Sequence, residues 1–496
     1  MKKHLLSLMA IVAGHFCFAQ IPDLNWDHYY AQPQQNFEAV DLTHDGKYII
    51  GGSSKGQYTK NAMMMKVDIN GDTLWRKDYS GSNSSSTFYS IATTKDGNIV
   101  AAGSSSIIRG TNISSKGGND LYVAKVNSTN GEILWQKLYG GSKEDYGFSV
   151  SATSDGGCIV GGLTNSIDGD IIGAKGNEDA WILKLDADGE IEWSMVVGDT
   201  KGDRITKIRE TSDKGFICIG YQSPTDNYYA DQYYATNMWV AKLSQSGEIL
   251  WEKILEGNNY DKGKDIRETS DNGFVLCGES NSNSGEFNYT TGQYDMWIIK
   301  LDDSGEILWK NRYGTSDGDY PFAVGETSEG YVMIGHSIGS YTLDYWVTML
   351  TYDKEDGTNT KWKFVSDSSY CTVTDMKVIP SNNFVYVGGK GGSYSKAQAY
   401  LAKYGEDNPP IVPTTSIDQQ LASGYISSIY PNPAVEELNI MLSQNTEFSI
   451  ANLLGEVVFT ENGVIGVNTV SLISFSPGIY YVTTGAGKAP KFVVSQ

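Results

Sequence analysis

The chain has 496 residues, 40% of them hydrophobic, and 59 acidic against 38 basic side chains, for a formal net charge of -21. The length predicts several domains or a repeat array, and 55 glycines with 32 tyrosines favour an all-β protein. The acidic excess argues against nucleic acid or an anionic membrane as a partner, because both require a basic surface. Its simplest role is to keep the protein in solution.

The first 19 residues are predicted to be a cleaved signal peptide. Lys2 and Lys3 give a basic start, residues 5–13 form an apolar run, and residues 17–19 match a small-x-small cleavage site. No run in the chain approaches the roughly 20 apolar residues that a membrane-spanning helix needs. We therefore expect an exported, soluble protein without a membrane span.

Tryptophans recur at a nearly constant spacing over residues 20–404. The intervals are 49, 60, 58, 58, 58 and 53 residues, and three of the tryptophans end the same pentapeptide, Gly-Glu-Ile-Leu-Trp. They are Trp26, Trp75, Trp135, Trp193, Trp251, Trp309 and Trp362. A repeat of this length predicts a solenoid or a propeller.

Each repeat contains four short β-like runs bounded by turn residues. In the unit that begins at Asp261 the runs are KDIRETS, FVLCGES, MWIIKLD and EILWKNRYG, which predict one four-stranded propeller blade. The last unit has three such runs, and the run LNWDHYY around Trp26 has no partners before it. We therefore predict a seven-bladed β-propeller over residues 20–404, closed by the N-terminal strand so that no sheet edge is exposed.

The units resemble kelch-like propeller repeats. A glycine pair closes the second strand at positions 51–52, 161–162 and 388–389, and a tryptophan lies in the fourth strand. The resemblance implies a rigid disc whose variable loops carry the function.

The cysteines offer neither a disulfide framework nor a metal site. We expect buried free thiols, because most of them lie in apolar strand-like runs, and no spacing is typical of metal ligands. After the signal peptide they are Cys158, Cys218, Cys277 and Cys371. The Asp168-Gly169-Asp170 segment has too few oxygen ligands for a known Ca²⁺ loop, so we predict a turn there and no cofactor.

Two sets of residues are candidates for ligand binding on one face of the disc. Four aspartates stand 58 residues apart, each just before a predicted inner strand: Asp145, Asp203, Asp261 and Asp319. The alternative is that they are turn residues that bind their own backbone and recur only because the blade recurs.

Long loops on the same predicted face carry the second set, which is rich in tyrosine. The loops are residues 103–120, 163–179, 221–237 and 279–295, and the nominated side chains are Tyr228, Tyr229, Tyr233, Tyr234, Tyr289 and Tyr294. Exposed tyrosines among Asn and Asp residues suit glycan or protein surfaces.

Catalytic motifs are absent from the sequence. No G-x-S-x-G, H-E-x-x-H or phosphate-binding glycine loop occurs, and the histidines fall in unrelated contexts. We therefore predict a binding module rather than an enzyme. The alternatives are a secreted lyase or glycosidase with its site at the central channel, and a purely structural or adhesive component.

The residues after 404 follow a different pattern. Residues 405–424 form a Pro-rich polar linker, and residues 425–496 show short β runs typical of a small Ig-like sandwich. This segment resembles the type A C-terminal sorting domain of the type IX secretion system. The positions that carry the resemblance are Pro431, Asn432, Pro433, Gly455, Gly478 and Tyr480.

The resemblance implies a two-step export route. The signal peptide would take the chain to the periplasm, and the sorting domain would direct it through the type IX machinery to the cell surface or the medium. Sorting domains of this kind are typically cleaved after export.

Overall fold

The structure of the protein is a computed structural model. It describes residues 23–405 apart from 31–34, 56–58, 80–84, 107–113, 176–177, 199–200, 224–234, 340–344, 365–369, 380–382 and 392–397. In the C-terminal part it describes 426–430, 437–442, 445–452, 457–464, 466–472, 475, 478–484 and 491–494. The chain divides into two compact units, and the division lies between Asn408 and Pro409.

The first unit repeats one antiparallel four-stranded sheet. After β1 (Leu24–Tyr30) the chain forms β2 (Gln35–Leu42), β3 (Tyr48–Lys55), β4 (Lys60–Val67) and β5 (Thr73–Asp78), which make one sheet in that order. The same order recurs in β6 (Ser86–Thr93), β7 (Ile99–Ser105), β8 (Asp120–Val126) and β9 (Ile133–Tyr139), and then in β10 (Asp145–Ala152), β11 (Cys158–Thr164), β12 (Asp179–Leu185) and β13 (Ile191–Val197).

Two further sheets continue this order. They are β14 (Asp203–Glu210), β15 (Phe216–Gln222), β16 (Asn237–Leu243) and β17 (Ile249–Leu255), then β18 (Asp261–Glu268), β19 (Phe274–Ser280), β20 (Asp295–Leu301) and β21 (Ile307–Tyr313). A short 3-10 helix, Gly285–Phe287, lies between β19 and β20.

The last strands of the unit form two groups joined by one parallel bridge, Tyr345 to Tyr370. The first group is β22 (Gly318–Glu326), β23 (Tyr331–Ile338), β24 (Tyr345–Tyr352) and β25 (Asn359–Phe364). The second is β26 (Tyr370–Ile379), β27 (Asn383–Gly391) and β28 (Gln398–Tyr404), to which β1 adds a fourth strand.

The N-terminal strand pairs with the last strand of the unit. In the antiparallel pair of β1 and β28, Trp26 lies opposite Lys403 and Tyr29 opposite Tyr400. Two side chains reinforce the pair: the Asn25 amide donates to the Gly405 carbonyl at 2.8 Å, and the Tyr400 hydroxyl donates to Asp27 at 2.8 Å. The strand that the sequence left without neighbours therefore occupies the outer position of the β26–β28 group.

Successive sheets pack face to face around a common axis. The first strands contact one another in the closed cycle β2, β6, β10, β14, β18, β22, β26 and back to β2. The contact that closes the cycle has its own apolar cluster, in which Ile50 and Met63 pack with Val387 and Leu401. This arrangement of repeated four-stranded sheets is consistent with a β-propeller.

The repeated pentapeptide forms the seam between one sheet and the next. Gly305 turns the chain from β20 into β21 with φ +85°, a conformation that favours glycine. The Trp251 ring of the preceding sheet lies so close that a Cβ on Gly305 would meet it at 2.9 Å. The Trp251 indole N–H donates to the Asp303 carbonyl at 3.1 Å, which fixes the ring on the turn. Glycine and tryptophan recur together because each tryptophan packs on the turn of its neighbour.

The second unit consists of two small sheets with a shared apolar core. One sheet orders β29 (Ile426–Tyr430), β30 (Glu437–Leu442) and β33 (Gly466–Ser471); the other orders β32 (Val457–Gly463), β31 (Thr446–Asn452), β34 (Gly478–Thr484) and β35 (Lys491–Val494). Ile440 and Val470 from the first sheet pack with Phe448, Ile450 and Val482 from the second.

All four described cysteines are free and buried, which confirms the expectation of buried thiols. Within the described residues, no helix has the length and apolar character needed to cross a membrane.

Candidate functional site

Every first strand of the first unit contains a β-bulge near its N-terminal end. The register with the second strand skips one residue in each, and these bulge residues are Glu38, Tyr89, Phe148, Thr206, Lys264, Phe322 and Thr374. Each is partly buried. A bulge leaves one residue outside the ladder and redirects its side chain. The first strands surround a common axis, so the bulges repeat one feature around it.

Each of the four nominated aspartates lies three residues before a bulge, at the N-terminal end of a first strand. The Asp261 carboxylate accepts from the Ser280 hydroxyl at 2.5 Å and from the Ser282 hydroxyl at 3.0 Å. The Asp145 carboxylate accepts from Thr164, from Ser166 and from the Gly141 N–H. The protein therefore binds these carboxylates internally.

The remaining two aspartates are buried in the same way. Asp319 accepts from the N–H and the hydroxyl of Thr315, at 2.6 and 2.9 Å, and Asp203 is 4% exposed. Burial raises the pKa of Asp261 to about 7 and also raises the pKa of Asp145 and of Asp319. All four aspartate side chains are buried in the structure.

The residue after each of these aspartates belongs to a series of neighbouring rings and cations. The Arg204 guanidinium lies 5.2 Å from the centre of the Phe148 ring and 5.6 Å from that of Tyr221. The Lys262 ammonium lies 4.7 Å from the Tyr221 ring and 5.7 Å from the Tyr260 ring. Both distances are within the range of a cation–π contact.

The chain of rings continues across the next sheets without a break. Ring centres are 6.3 Å apart for Tyr260 and Tyr294, 5.3 Å for Tyr294 and Tyr320, and 5.6 Å for Tyr320 and His336. His336 is 5.3 Å from Tyr345, which is 4.9 Å from Tyr370. Burial and the charge of Lys264 lower the pKa of His336 to about 3, so its ring is uncharged at neutral pH.

We call this feature the ring-and-cation band. At its other end the rings of Tyr146 and Tyr89 flank Phe148, with centres 5.9 and 5.6 Å away. Its members are Tyr89, Tyr146, Phe148, Arg204, Tyr221, Lys262, Tyr260, Tyr294, Tyr320, His336, Tyr345 and Tyr370. Most of them are partly exposed, so the band offers apolar faces and polar tips to a ligand.

The band contains one of the nominated tyrosines. Tyr294 is a member, whereas Tyr289 is 59% exposed and lies under Arg312, whose guanidinium is 4.3 Å from its ring. Tyr228, Tyr229, Tyr233 and Tyr234 lie outside the described residues.

Sequence reasoning missed the residues that form most of the band. Tyr146, Arg204, Lys262 and Tyr320 follow the nominated aspartates by one position and share their spacing of 58 residues. Neighbouring residues on a strand point to opposite faces, so one of the two positions is buried while the next remains accessible. Each residue at this second position is aromatic or cationic, and this is a signal that the sequence contains.

A network of charged side chains joins several of the first strands. Arg267 on β18 donates to the Val324 carbonyl at 2.6 Å and to the Met376 carbonyl on β26 at 3.1 Å. Arg209 donates to the buried Asp265 at 2.9 Å. Burial opposes ionisation of Asp265, but Arg209 and Arg267 lower its pKa to about 2. The network links the inner strands β14, β18, β22 and β26.

No metal site is apparent in the described part of the chain. It contains no group of three or more His, Cys, Asp or Glu side chains arranged to hold an ion. In the Asp168-Gly169-Asp170 turn, Asp168 accepts from the Ser142 N–H at 2.7 Å and Asp170 accepts from Lys116 at 2.7 Å. These two carboxylates bind neighbouring protein groups.

Comparison with protein families identifies the C-terminal unit. Residues 428–495 match the family described as the secretion system C-terminal sorting domain. This confirms that the chain carries a type IX sorting domain, which indicates export to the cell surface or the medium. Of the family positions named from the sequence, Gly478 begins β34 and Tyr480 is 7% exposed in the apolar core. Pro431, Asn432, Pro433 and Gly455 lie outside the described residues.

Several solved structures are similar to the chain at low identity. PorZ, an essential bacterial surface component of the type-IX secretion system of Porphyromonas gingivalis, is 10% identical; the match covers 94% of this chain and 60% of PorZ, with a TM-score of 0.43. The polysaccharide lyase Uly1 is 11% identical, with coverage of 80% and 93% and a TM-score of 0.45. Quinohemoprotein alcohol dehydrogenase from Comamonas testosteroni is 11% identical, with coverage of 77% and 68% and a TM-score of 0.39.

At these identities and TM-scores, the similarity supports no conclusion about function. No curated protein sequence matches the chain.

Proposed function

We propose that the chain is a binding module, delivered by type IX secretion, whose ring-and-cation band binds a glycan. The proposal includes a seven-bladed, kelch-like propeller over residues 20–404 in which β1 completes the last blade. It also includes a signal peptide at 1–19, a linker at 405–424 and a β-sandwich sorting domain at 425–496. The buried aspartates at the four repeat positions then hold the strand ends that present the band.

One observation carries the choice of ligand. Rings and cations contact each other in an unbroken series from Tyr89 on β6 to Tyr370 on β26, across six of the proposed blades. Sugar rings have apolar faces that stack on aromatic side chains, and their hydroxyls pair with phenol, imidazole and amino groups. A long series of partly exposed rings suits an extended polymer better than a single small molecule.

A glycan array with the purified secreted protein tests this proposal. We expect binding to a polymer that falls about thirtyfold when Tyr294 and Tyr320 are both changed to Ser, because two stacking contacts of about 1 kcal/mol each are lost. Tyr29→Ser is the matched control, since Tyr29 is 47% exposed on the outer strand β1 and its ring contacts Tyr400 and Lys390, which are not members of the band. Unchanged affinity in the double variant would show that the ring-and-cation band does not bind the glycan.

The same samples separate the binding module from the enzyme alternative. A secreted lyase or glycosidase would release new reducing ends or unsaturated products from the bound polymer. We expect no such products. If they appear, the protein is a carbohydrate-active enzyme and the proposal of a binding module is wrong.

A further inference from the structure

One of the repeated sheets contributes no residue to the ring-and-cation band. The sheet β2–β5 lies between the two ends of the band, because β2 contacts both β6 and β26. In β2 the position that corresponds to Lys262 holds Asn36, which lies opposite Ser53 as Lys262 lies opposite Glu279. This sheet therefore presents an amide where β10, β14, β18 and β22 carry a ring or a cation.

A cavity lies between β2–β4 and β26–β28, at the end of the band. Its volume is about 520 Å³, within the range of small-ligand sites in proteins. Tyr370, the last ring of the band, belongs to its wall. The exposed and half-buried side chains of the wall include Asn36, Glu38, Lys55, Lys60, Tyr370 and Gln398. A glycan that follows the band can therefore reach polar groups in the cavity.

Two of these accessible side chains are lysines that face each other. In the antiparallel pair of β3 and β4, Lys55 lies directly opposite Lys60, so both side chains leave the ladder on the same face. Both are exposed, and among the residues that the structure describes no carboxylate forms an ion pair with either ammonium group. Like charges directly opposite each other destabilise a sheet. The pair therefore gains from an anion placed between its two members.

The cavity has a positive charge in a strongly acidic protein. The charged groups that the structure describes in its wall are the two ammonium groups and the carboxyl group of Glu38. Burial raises the pKa of Glu38 to about 7, although the charge of Lys60 opposes the shift, so about half of these carboxyl groups are uncharged at neutral pH. The chain carries a net charge of -21, but salt screens distant charges within about 8 Å. The lysines therefore determine the charge that a ligand meets in the cavity.

We propose that this cavity binds an anionic group, a carboxylate or a sulfate, of an acidic polysaccharide that lies on the band. This inference rests on the proposed glycan-binding function and deepens it by naming the class of polymer. Ammonium groups donate strong, charge-assisted hydrogen bonds to the oxygens of such anions. Arg204 and Lys262 place further cations along the path of the same polymer.

Matched polymers that differ only in charge test the inference on the full secreted chain. One pair is polygalacturonate and its methyl ester, which carry and lack carboxylates; the other is dextran sulfate and dextran, which carry and lack sulfates. We expect the acidic member of at least one pair to bind about tenfold more tightly than its neutral partner in calorimetry. The pair that shows this preference identifies the anion. Equal binding within both pairs would overturn the inference.

A double variant assigns the preference to the lysine pair. Lys55→Gln/Lys60→Gln should reduce the preference for the acidic polymer to less than about twofold, because both donors of charge-assisted hydrogen bonds are lost. Its unfolding temperature should stay the same or rise, since two like charges no longer face each other. Lys95→Gln/Lys361→Gln is the matched control, because it removes the same charge from exposed positions outside the cavity wall and should keep the preference. Equal losses in the two double variants would contradict the inference.

A variant with a predicted gain of affinity guards against effects of damage to the fold. Glu38→Gln removes the carboxyl group from the cavity wall, so at a pH of about 8, where this group is ionised, the acidic polymer should bind about threefold more tightly. Unchanged or weaker binding in this variant would contradict a site for an anion.

The same samples separate a failure of the cavity from a failure of the band. Polymer binding that depends on Tyr294 and Tyr320 but not on the charge of the polymer would support the band and overturn the inference. A preference for the acidic polymer that depends on Lys55 and Lys60 but not on the two tyrosines would support the cavity and contradict the proposed role of the band.

Discussion

Asp261 and Gln35 occupy the same position in two copies of the repeat, but their environments differ. The Asp261 carboxylate accepts from two serine hydroxyls at the end of its sheet, whereas both polar atoms of Gln35 lack a partner. The position is buried in both sheets, with Asp261 at 0% and Gln35 at 4% exposure. Repetition therefore preserves the burial of a position, while its hydrogen bonding depends on one or two neighbouring side chains.

The difference teaches how to separate structural from functional positions in a repeat protein. A residue that recurs with its partners belongs to the architecture, as Trp251 with Gly305 and Asp261 with Ser280 do. A copy that keeps the burial but loses the partners does not share the structural role of the other copies. The four predictions below test this separation, beginning with the largest expected effect.

Loss of a seam tryptophan should have the largest effect on stability. Trp251→Ala removes the ring that packs on Gly305 and leaves a space between two sheets, which we expect to cost about 2–4 kcal/mol in the free energy of unfolding. Urea unfolding measures the change. Leu250→Ala is the control, because Leu250 is 57% exposed and should change stability by less than about 0.5 kcal/mol. Equal effects of the two changes would contradict a structural role for the repeated tryptophan.

Substitution of Asp261, the residue of the pair that has hydrogen-bond partners, should cause the next largest loss in the free energy of unfolding. Asp261→Ala leaves the Ser280 and Ser282 hydroxyls without their acceptor, for an expected loss of about 2 kcal/mol at a pH near 5. Asp261→Asn keeps an acceptor oxygen and should lose less at the same pH. If the alanine variant is as stable as the wild type, Asp261 does not hold the strand end.

The titration of Asp261 should be visible in the pH dependence of stability. Its pKa is raised to about 7 in the folded protein by burial, so between its ordinary pKa and 7 the folded state binds more protons than the unfolded state. Stability contributed by this group is therefore present at low pH and is lost as the pH rises towards 7, by up to about 1.4 kcal/mol per pH unit. Asp261→Asn should flatten the dependence of stability on pH in this window. An unchanged slope would show that the pKa of Asp261 is not raised to about 7.

Gln35→Leu should act in the opposite direction from Asp261→Ala. The leucine replaces an amide that has no partner, so we expect a gain of about 1 kcal/mol in the free energy of unfolding. Asn36→Leu, at the exposed neighbouring position, should stay within about 0.5 kcal/mol. A clear loss of stability in Gln35→Leu would show that the amide has a partner within the protein.

The regular part of the fold could be predicted from the sequence because it depends on short-range patterns. Alternating runs, Asp-Gly and Ser-Gly turns and the tryptophan spacing indicate four strands per repeat, and the structure shows repeated four-stranded sheets. The run around Trp26 lacked neighbours in the sequence, and the structure pairs its strand with β28. The C-terminal motif order predicted the sorting domain, which the family comparison confirms.

The candidate site could not be predicted in the same way, because it depends on contacts between repeats. Whether Arg204 meets Phe148 and Tyr221 is determined by the packing of β14 between its neighbours and by the bulges that redirect the side chains. No sequence pattern indicates that the buried Gln35 amide lacks a hydrogen-bond partner. The aspartates were conspicuous in the sequence because they repeat, whereas the band varies between ring and cation.

Hydrogen–deuterium exchange on the glycan-bound protein tests the central claim most directly. If the ring-and-cation band binds the ligand, backbone protection should appear at the N-terminal ends of β10, β14, β18 and β22, over residues 145–148, 203–206, 261–264 and 319–322. The outer strands β13, β17 and β21 should exchange as in the free protein. Protection confined to those outer strands, with the four inner segments unchanged, would contradict the account.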